Sequence, residues 1–107
     1  MACSFLKERG YVVLRRNVRV PGGEIDIVAR SPIGILVFVE VKTLSGESEA
    51  LMPEDNANAA KLIKMRRSAM IFAGSHNDLF DEKNGWQIDL VAVVLANPPK
   101  IRHYENV

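Results

Sequence analysis

Gly23-Glu24-Ile25-Asp26-Ile27-Val28 and, after a short break, Ile35-Leu36-Val37-Phe38-Val39-Glu40-Val41-Lys42 are two apolar runs with charges set into them. The second run begins as unbroken β-branched and apolar sequence, the pattern of a buried strand. A carboxylate and an ammonium then appear two residues apart. Successive side chains on a strand point to opposite faces, so Glu40 and Lys42 share one face and Val39 and Val41 the other. The first run repeats the pattern, with Glu24 and Asp26 expected on one face and Ile25 and Ile27 on the other. Ser31-Pro32-Ile33-Gly34 lies between the runs and is punctuated as a turn. Two strands joined this tightly form an antiparallel hairpin, which brings Asp26 towards Glu40 with Lys42 beside them.

Around this hairpin, composition sets the bounds. The chain has 107 residues, which predicts one domain over 1–107. Hydrophobic residues make up 48% and charged residues 25%, the balance of a globular protein. The net charge of +1 excludes a global basic field, so any nucleic-acid surface must come from local clusters of Lys and Arg. A lone cysteine, Cys3, excludes an internal disulfide and a cysteine-cluster metal site, and fits a cytoplasmic protein. No stretch reaches the roughly 20 apolar residues of a membrane span. Nor does the N-terminus have the order of a signal peptide.

Along the chain, Ala2 to Arg9 reads as a short helix stopped by Gly10. Tyr11 to Val18 reads as an edge strand, and Val20-Pro21-Gly22-Gly23 as a turn. Arg15, Arg16 and Arg19 on that strand make either a solvated edge that resists aggregation or a row facing phosphates. Leu44 to Met52 is polar and loop-like. A long helix is expected from Pro53, with Glu54 and Asp55 complementing its N-terminal dipole, to about Ala73. Ala59, Leu62, Ile63, Ala69, Met70 and Ala73 are its expected core stripe, with Lys61, Lys64 and Arg67 in a series of their own off that stripe. Lys64, Arg66 and Arg67 are either a solvated helix face or contacts to a DNA backbone. A polar loop, Ser75 to Gly85, leads to the apolar run Trp86 to Leu95, a buried strand. Asn97-Pro98-Pro99 ends it, and Lys100 to Tyr104 is a short final edge strand. A helix crossing over after a hairpin places the Trp86 strand parallel to the Ile35 strand. The fold class is α/β, a mixed β-sheet with flanking helices.

Carboxylates on a sheet face cost several kcal/mol when buried unless paired or metal-bound. One account is structural: Lys42 neutralises Glu40, and Asp26 accepts backbone hydrogen bonds at a strand end. The other is chemical. Glu24, Asp26 and Glu40 converge with one lysine and without His or Cys, an all-oxygen set that selects Mg²⁺ or Mn²⁺ over zinc. Such an ion suits attack on a phosphodiester, with Lys42 orienting or deprotonating the attacking water or stabilising charge on the phosphate. Asp89, inside the last apolar run, is either a further member of the acidic set or a strand acid capped by backbone. His76 and His103 have no ligand partner at useful spacing.

Asp26 followed by a strand bearing Glu40-Val41-Lys42 resembles the signature of the PD-(D/E)xK nuclease superfamily. More closely, the chain resembles the small YraN-like family of predicted endonucleases, similar in fold to archaeal Holliday junction resolvases. The matching pieces are Gly10-Tyr11, Arg16-Asn17, Gly23-Glu24-Ile25-Asp26, Phe38-Val39-Glu40-Val41-Lys42, Lys61, Asp89-Leu90-Val91-Ala92-Val93 and Ile101-Arg102-His103. They span essentially the whole chain. The resemblance implies a restriction-endonuclease-like core and hydrolysis of DNA phosphodiesters, at branched junctions in the resolvases. It implies Asp26 and Glu40 as metal ligands, Lys42 as the catalytic lysine, Glu24 as a further or water-mediated ligand, and Mg²⁺ or Mn²⁺ as the cofactor. DNA is the implied partner, with Lys61 facing the same cleft from the helix; Arg15, Arg16, Lys64 and Arg67, read from the strand and helix patterns, are the further cations expected to contact it. A homodimer through the edge strands at Tyr11 and Lys100 suits a two-fold junction.

The chain departs from the family pattern in three places. The acid expected ahead of the first helix is absent, Leu44 stands where an arginine is common, and Gln87-Ile88 replaces an Arg-Phe pair. These departures keep a rival reading in view: a nucleic-acid- or protein-binding module that retains the fold without the chemistry, with Glu40 and Lys42 as a structural ion pair.

Overall fold

The hairpin forms as its sequence requires. In the computed structural model, which describes residues 1–45, 59–79 and 85–107, β2 (Gly23–Arg30) and β3 (Leu36–Ser45) pair antiparallel. Pro32 occupies the first corner of the turn and Gly34 its left-handed exit at φ 89°. Gly34 N–H donates to Ser31 O at 2.9 Å, and Ile35 N–H donates to the Ser31 hydroxyl at 3.1 Å. Ahead of the hairpin, β1 (Val12–Val20) lies antiparallel on β2. After the crossover through α2 (Ala59–Ser75), β4 (Trp86–Leu95) lies parallel to β3, and β5 (Lys100–Tyr104) closes the sheet antiparallel to β4. The sheet is five-stranded and mixed, in the order β1-β2-β3-β4-β5.

A helix covers each face. The short α1 (Ala2–Glu8) ends where Gly10 turns left-handed at φ 88°. Gly10 N–H bonds Lys7 O and Tyr11 N–H bonds Leu6 O, both at 3.0 Å, the paired bonds that close a helix on a glycine. Leu6 and Tyr11 meet in the core on this face, with Ile27, Ala29, Val37, Val39, Val91 and Val93 from three strands. The other face carries α2 over Val28, Leu36, Phe38 and Ile88. Phe38 is fully buried there and meets Phe72 and Trp86 edge-on, at centroid distances of 5.7 and 5.4 Å.

The sequence-based boundaries hold for the strands to within two or three residues, except that Leu44 and Ser45 extend β3 instead of opening a loop. The expected loop over 46–52, the helix start at Pro53 and residues 80–84 of the expected loop lie outside the described residues. Asn77–Leu79 form a short 3₁₀ turn. The facing of α2 is corrected by the structure. Met65, Ser68, Ala69, Phe72 and Ala73 point into the core, whereas Ile63 and Met70 are 67% and 60% exposed and Leu62 is also exposed. Apolar residues surround this helix. Phe72, with small residues at 68, 69 and 73 that permit close approach to the sheet, fixes which side is buried.

Candidate functional site

Two ladders that meet at β3 differ in length. β2 stays with β3 from Arg30↔Leu36 only to Ile27↔Val39, whereas β4 follows β3 from Leu36↔Trp86 to Ser45↔Leu95. From Glu40 onward β3 is therefore paired on one side only, and the sheet opens into a fork between β2 and β3. At the next step along β2, the Asp26 carboxylate replaces the missing ladder bond. Its Oδ2 accepts the Val41 N–H at 2.8 Å. A side-chain oxygen here satisfies a strand donor that would otherwise be orphaned.

The peeling of β2 has a visible local cause. In the β1–β2 ribbon Arg16 pairs with Ile27 and Val18 with Ile25, which sets Asn17 opposite Asp26. Asn17 has φ 51°, left-handed backbone that Asn tolerates better than most residues. At this level strand alternation fails. Ile27 packs on the α1 side, and Ile25, two residues earlier, packs on the α2 side. The expectation that Ile25 and Ile27 share a face is thus wrong, because an irregularity at Asn17/Asp26 shifts the pleat and aims Asp26 into the fork.

Glu40 and Lys42 follow Leu36 and Phe38 onto the α2 face, as alternation requires. Glu40 is paired there with Lys61 of α2 at 3.4 Å. Lys42, half-buried, takes part in no ion pair among the described residues. The structural pair of Glu40 with Lys42 that the sequence allowed is therefore replaced by a pair across to the helix. Asp26 also borders a groove of ≈ 420 Å³ on the α1 face, beside Arg16, Asn17, Val41 and Thr43. Glu24 is exposed at the tip of the ribbon, opposite Arg19. Arg15 donates to its neighbour Leu14 O at 3.0 Å, and Lys64 and Arg67 are exposed along α2.

Among the described residues, no three His, Cys, Asp or Glu side chains form a metal-sized cluster. Two carboxylates remain on either side of Val41: Asp26, bonded to the Val41 amide, and Glu40 on the preceding residue. This donor set fits Mg²⁺ or Mn²⁺, which is held through one or two carboxylates and completes its shell with water and substrate phosphate. It does not fit zinc, which takes nitrogen and sulfur ligands.

A second polar cluster escaped sequence reasoning. Asp89 faces the α1 side, away from Glu40, and is fully buried. It accepts from Gln87 Nε2 at 2.9 Å, from His103 Nε2 at 2.7 Å and from Asn106 N–H at 3.0 Å. His103, with its side chain 2% exposed, lies between the rings of Phe5 and Tyr11 and within 3.5 Å of an Arg9 nitrogen. Burial first, then the negative charges of Asp89 and Glu105 and the hydrogen bond to Glu105, push the Tyr11 phenol up to about 12, against the opposing pull of Arg9. Asp89 is thus a strand acid capped by a backbone amide and two side chains, not a member of the fork. The sequence carried one signal, an Asp in an unbroken apolar run. Its partner lies fourteen residues on, at a place set by the β4–β5 register, Val91↔His103.

Among known proteins, the chain matches over residues 1–93 a family model described as "Uncharacterised protein family UPF0102". A UPF0102 protein of Fervidobacterium nodosum is 36% identical over 107 residues, all of this chain and 75% of that protein. One from Roseiflexus castenholzii is 43% identical over 93 residues, 87% of this chain and 72% of its own length. Another, from Thermotoga maritima, is 41% identical over 107 residues, all of this chain and 89% of the relative. This chain belongs to the UPF0102 family.

Proposed function

We propose that the β2–β3 fork is the active site of a metal-dependent nuclease of restriction-endonuclease-like fold that hydrolyses DNA phosphodiesters in the cytoplasm. The observation that carries this reading is the Asp26 carboxylate seated on the amide of Val41, the residue between Glu40 and Lys42 in the chain, where the ladder opens. Asp26 and Glu40 would hold Mg²⁺ or Mn²⁺, which supplies Lewis-acid activation of the phosphate and of a bound water. Lys42, held on a central strand and without a described counter-ion, would hold the attacking water and offset charge growing on the phosphate oxygens. Val41, Val39 and the α2-side core keep both groups on rigid backbone. Arg15, Arg16, Lys61, Lys64 and Arg67 are the proposed phosphate contacts, and branched DNA bound by a two-fold dimer is the substrate that the family resemblance favours.

Calorimetric titration with Mn²⁺ of the unaltered protein, Asp26→Asn and Glu40→Gln tests the metal site. Binding is expected in the first and lost in both variants. Cleavage of linear and four-way DNA is expected to need the metal and to disappear in Glu40→Ala and Lys42→Ala. Undiminished cleavage by both variants would rule the reading out. A second reading draws on the Glu40–Lys61 pair, which neutralises the acid without metal. The chain would then be a non-catalytic binding module. That predicts salt-sensitive DNA binding indifferent to chelator, with no cleavage of either substrate.

A further inference from the structure

The counter-ion of Glu40 comes from the helix, not from the strand. Lys42 is two residues away on the same face, yet the ammonium at Glu40, 3.4 Å from Oε1, belongs to Lys61. The two side chains of this pair differ in exposure, 20% for Glu40 and 48% for Lys61. A largely desolvated carboxylate requires a compensating charge. A half-exposed lysine on a four-carbon stem can supply one and also withdraw it, because the ammonium is rehydrated as it leaves. Lys61 also heads a row along α2, with Lys64 one turn on and Arg67 the next, and both are exposed.

We infer that Lys61 occupies the place of the divalent cation at Glu40, is displaced when that cation binds, and then joins Lys64 and Arg67 as a contact for backbone phosphate. The inference rests on the fork being a metal site. The physical reason is competition. An ammonium and a divalent ion repel each other, and one carboxylate of this exposure does not hold both at close range. The displaced lysine keeps its charge and remains tethered beside the fork, where an incoming phosphodiester lies against the metal. Metal binding therefore frees an ammonium to contact phosphate, in addition to bringing the charge of the metal itself. By reciprocity, DNA tightens the metal by the same factor.

The test is Mn²⁺ affinity by calorimetry in the unaltered protein, Lys61→Met and Lys61→Arg. Methionine keeps the stem and the helix propensity without the charge. Removing the competing charge should tighten Mn²⁺ by about three- to tenfold, the scale of one partly screened charge pair together with relief of cation repulsion. Lys61→Arg should bind as the unaltered protein does. A lysine with a merely structural role would weaken the metal site when replaced, so the direction of the change separates the two accounts. The second readout is duplex binding by fluorescence anisotropy in the cleavage-blocked Lys42→Ala protein. Mn²⁺ should tighten binding there, and more than it does in Lys42→Ala/Lys61→Met. Equal or weaker Mn²⁺ binding in Lys61→Met overturns the displacement and leaves the fork standing as a metal site. An equal gain from Mn²⁺ in the two anisotropy proteins overturns the transfer of Lys61 to DNA. Absence of Mn²⁺ binding from the unaltered protein and from Lys61→Met alike overturns the inference together with the reading beneath it.

Discussion

Replacing His103 by alanine removes one of three donors to a carboxylate with no access to solvent. Asp89 keeps Gln87 Nε2 at 2.9 Å and the Asn106 amide at 3.0 Å but loses its shortest bond, 2.7 Å to His103 Nε2. Breaking a buried pair on one side costs about 3–5 kcal/mol, because the remaining charge stays desolvated. The imidazole also fills space between Phe5 and Tyr11, at centroid distances of 6.0 and 5.7 Å, so its loss opens a void on the α1 face. Against a total stability of roughly 5–15 kcal/mol for a domain of this kind, the variant is expected to be marginal. In urea the midpoint should fall by about 1–3 M at unchanged slope. Asp89→Asn together with His103→Ala should cost less than the two single changes added, because no charge is then left behind. A coupling of about 1–3 kcal/mol is expected from the double-mutant cycle. A His103→Ala midpoint within 0.3 M of the unaltered protein, as a rough limit on such shifts, or strict additivity of the pair, would refute the argument that Asp89 depends on its bond to His103.

Met65 and Met70 sit on opposite sides of α2, so Met65→Ala should cost about 2–5 kcal/mol, and Met70→Ala should stay within about 0.5 kcal/mol in chemical unfolding. A reversal of that order would restore the stripe that the sequence suggested. The alkaline limb of stability should carry the mark of Tyr11. Its phenol rises from 10.0 to about 12 on folding, so the folded state favours the neutral form. The linked contribution is complete below pH 10 and is lost as pH rises through about 12. Tyr11→Phe should therefore lose less stability than the unaltered protein between those pH values in parallel thermal melts, and coincident pH profiles would exclude the linkage.

The elements that could be read from sequence were those whose signal is local. The β2–β3 hairpin announces itself through Pro32 and Gly34 between two apolar runs, and β4 through ten residues with little but apolar character. The parallel placement of β4 followed from the crossover rule, which needs no side-chain detail. What escaped notice depends on which surfaces meet in three dimensions. Helix α2 has apolar residues on two sides, and only the presence of Phe38 and Trp86 beneath it selects Phe72 over Met70. The loss of alternation at Asp26 comes from a left-handed Asn17 across the ribbon, a conformation that few sequences announce. At the fork, Asp26, Glu40 and Lys42 were legible as residues. The Asp26–Val41 bond and the choice of Lys61 over Lys42 as partner for Glu40 were not, because both depend on where β2 leaves the sheet and where α2 crosses it.

The uneven ladders also fix the order in which this site can be assembled. Strands β1, β2 and β3 are neighbours in sequence, and their turns close over a few residues. The partner of Leu36 on the other side, Trp86, emerges about fifty residues later. Parallel pairing across so long a separation is slow compared with formation of a local hairpin. Until β4 arrives, β3 beyond Val39 has no ladder partner on either side, for β2 has already turned away. The backbone that carries Glu40 and Lys42 is thus among the last parts of the sheet to become rigid, during synthesis as during refolding. A nascent chain that has produced both acids and the lysine of the fork does not yet have a site. Any activity seated there begins with completion of the fold.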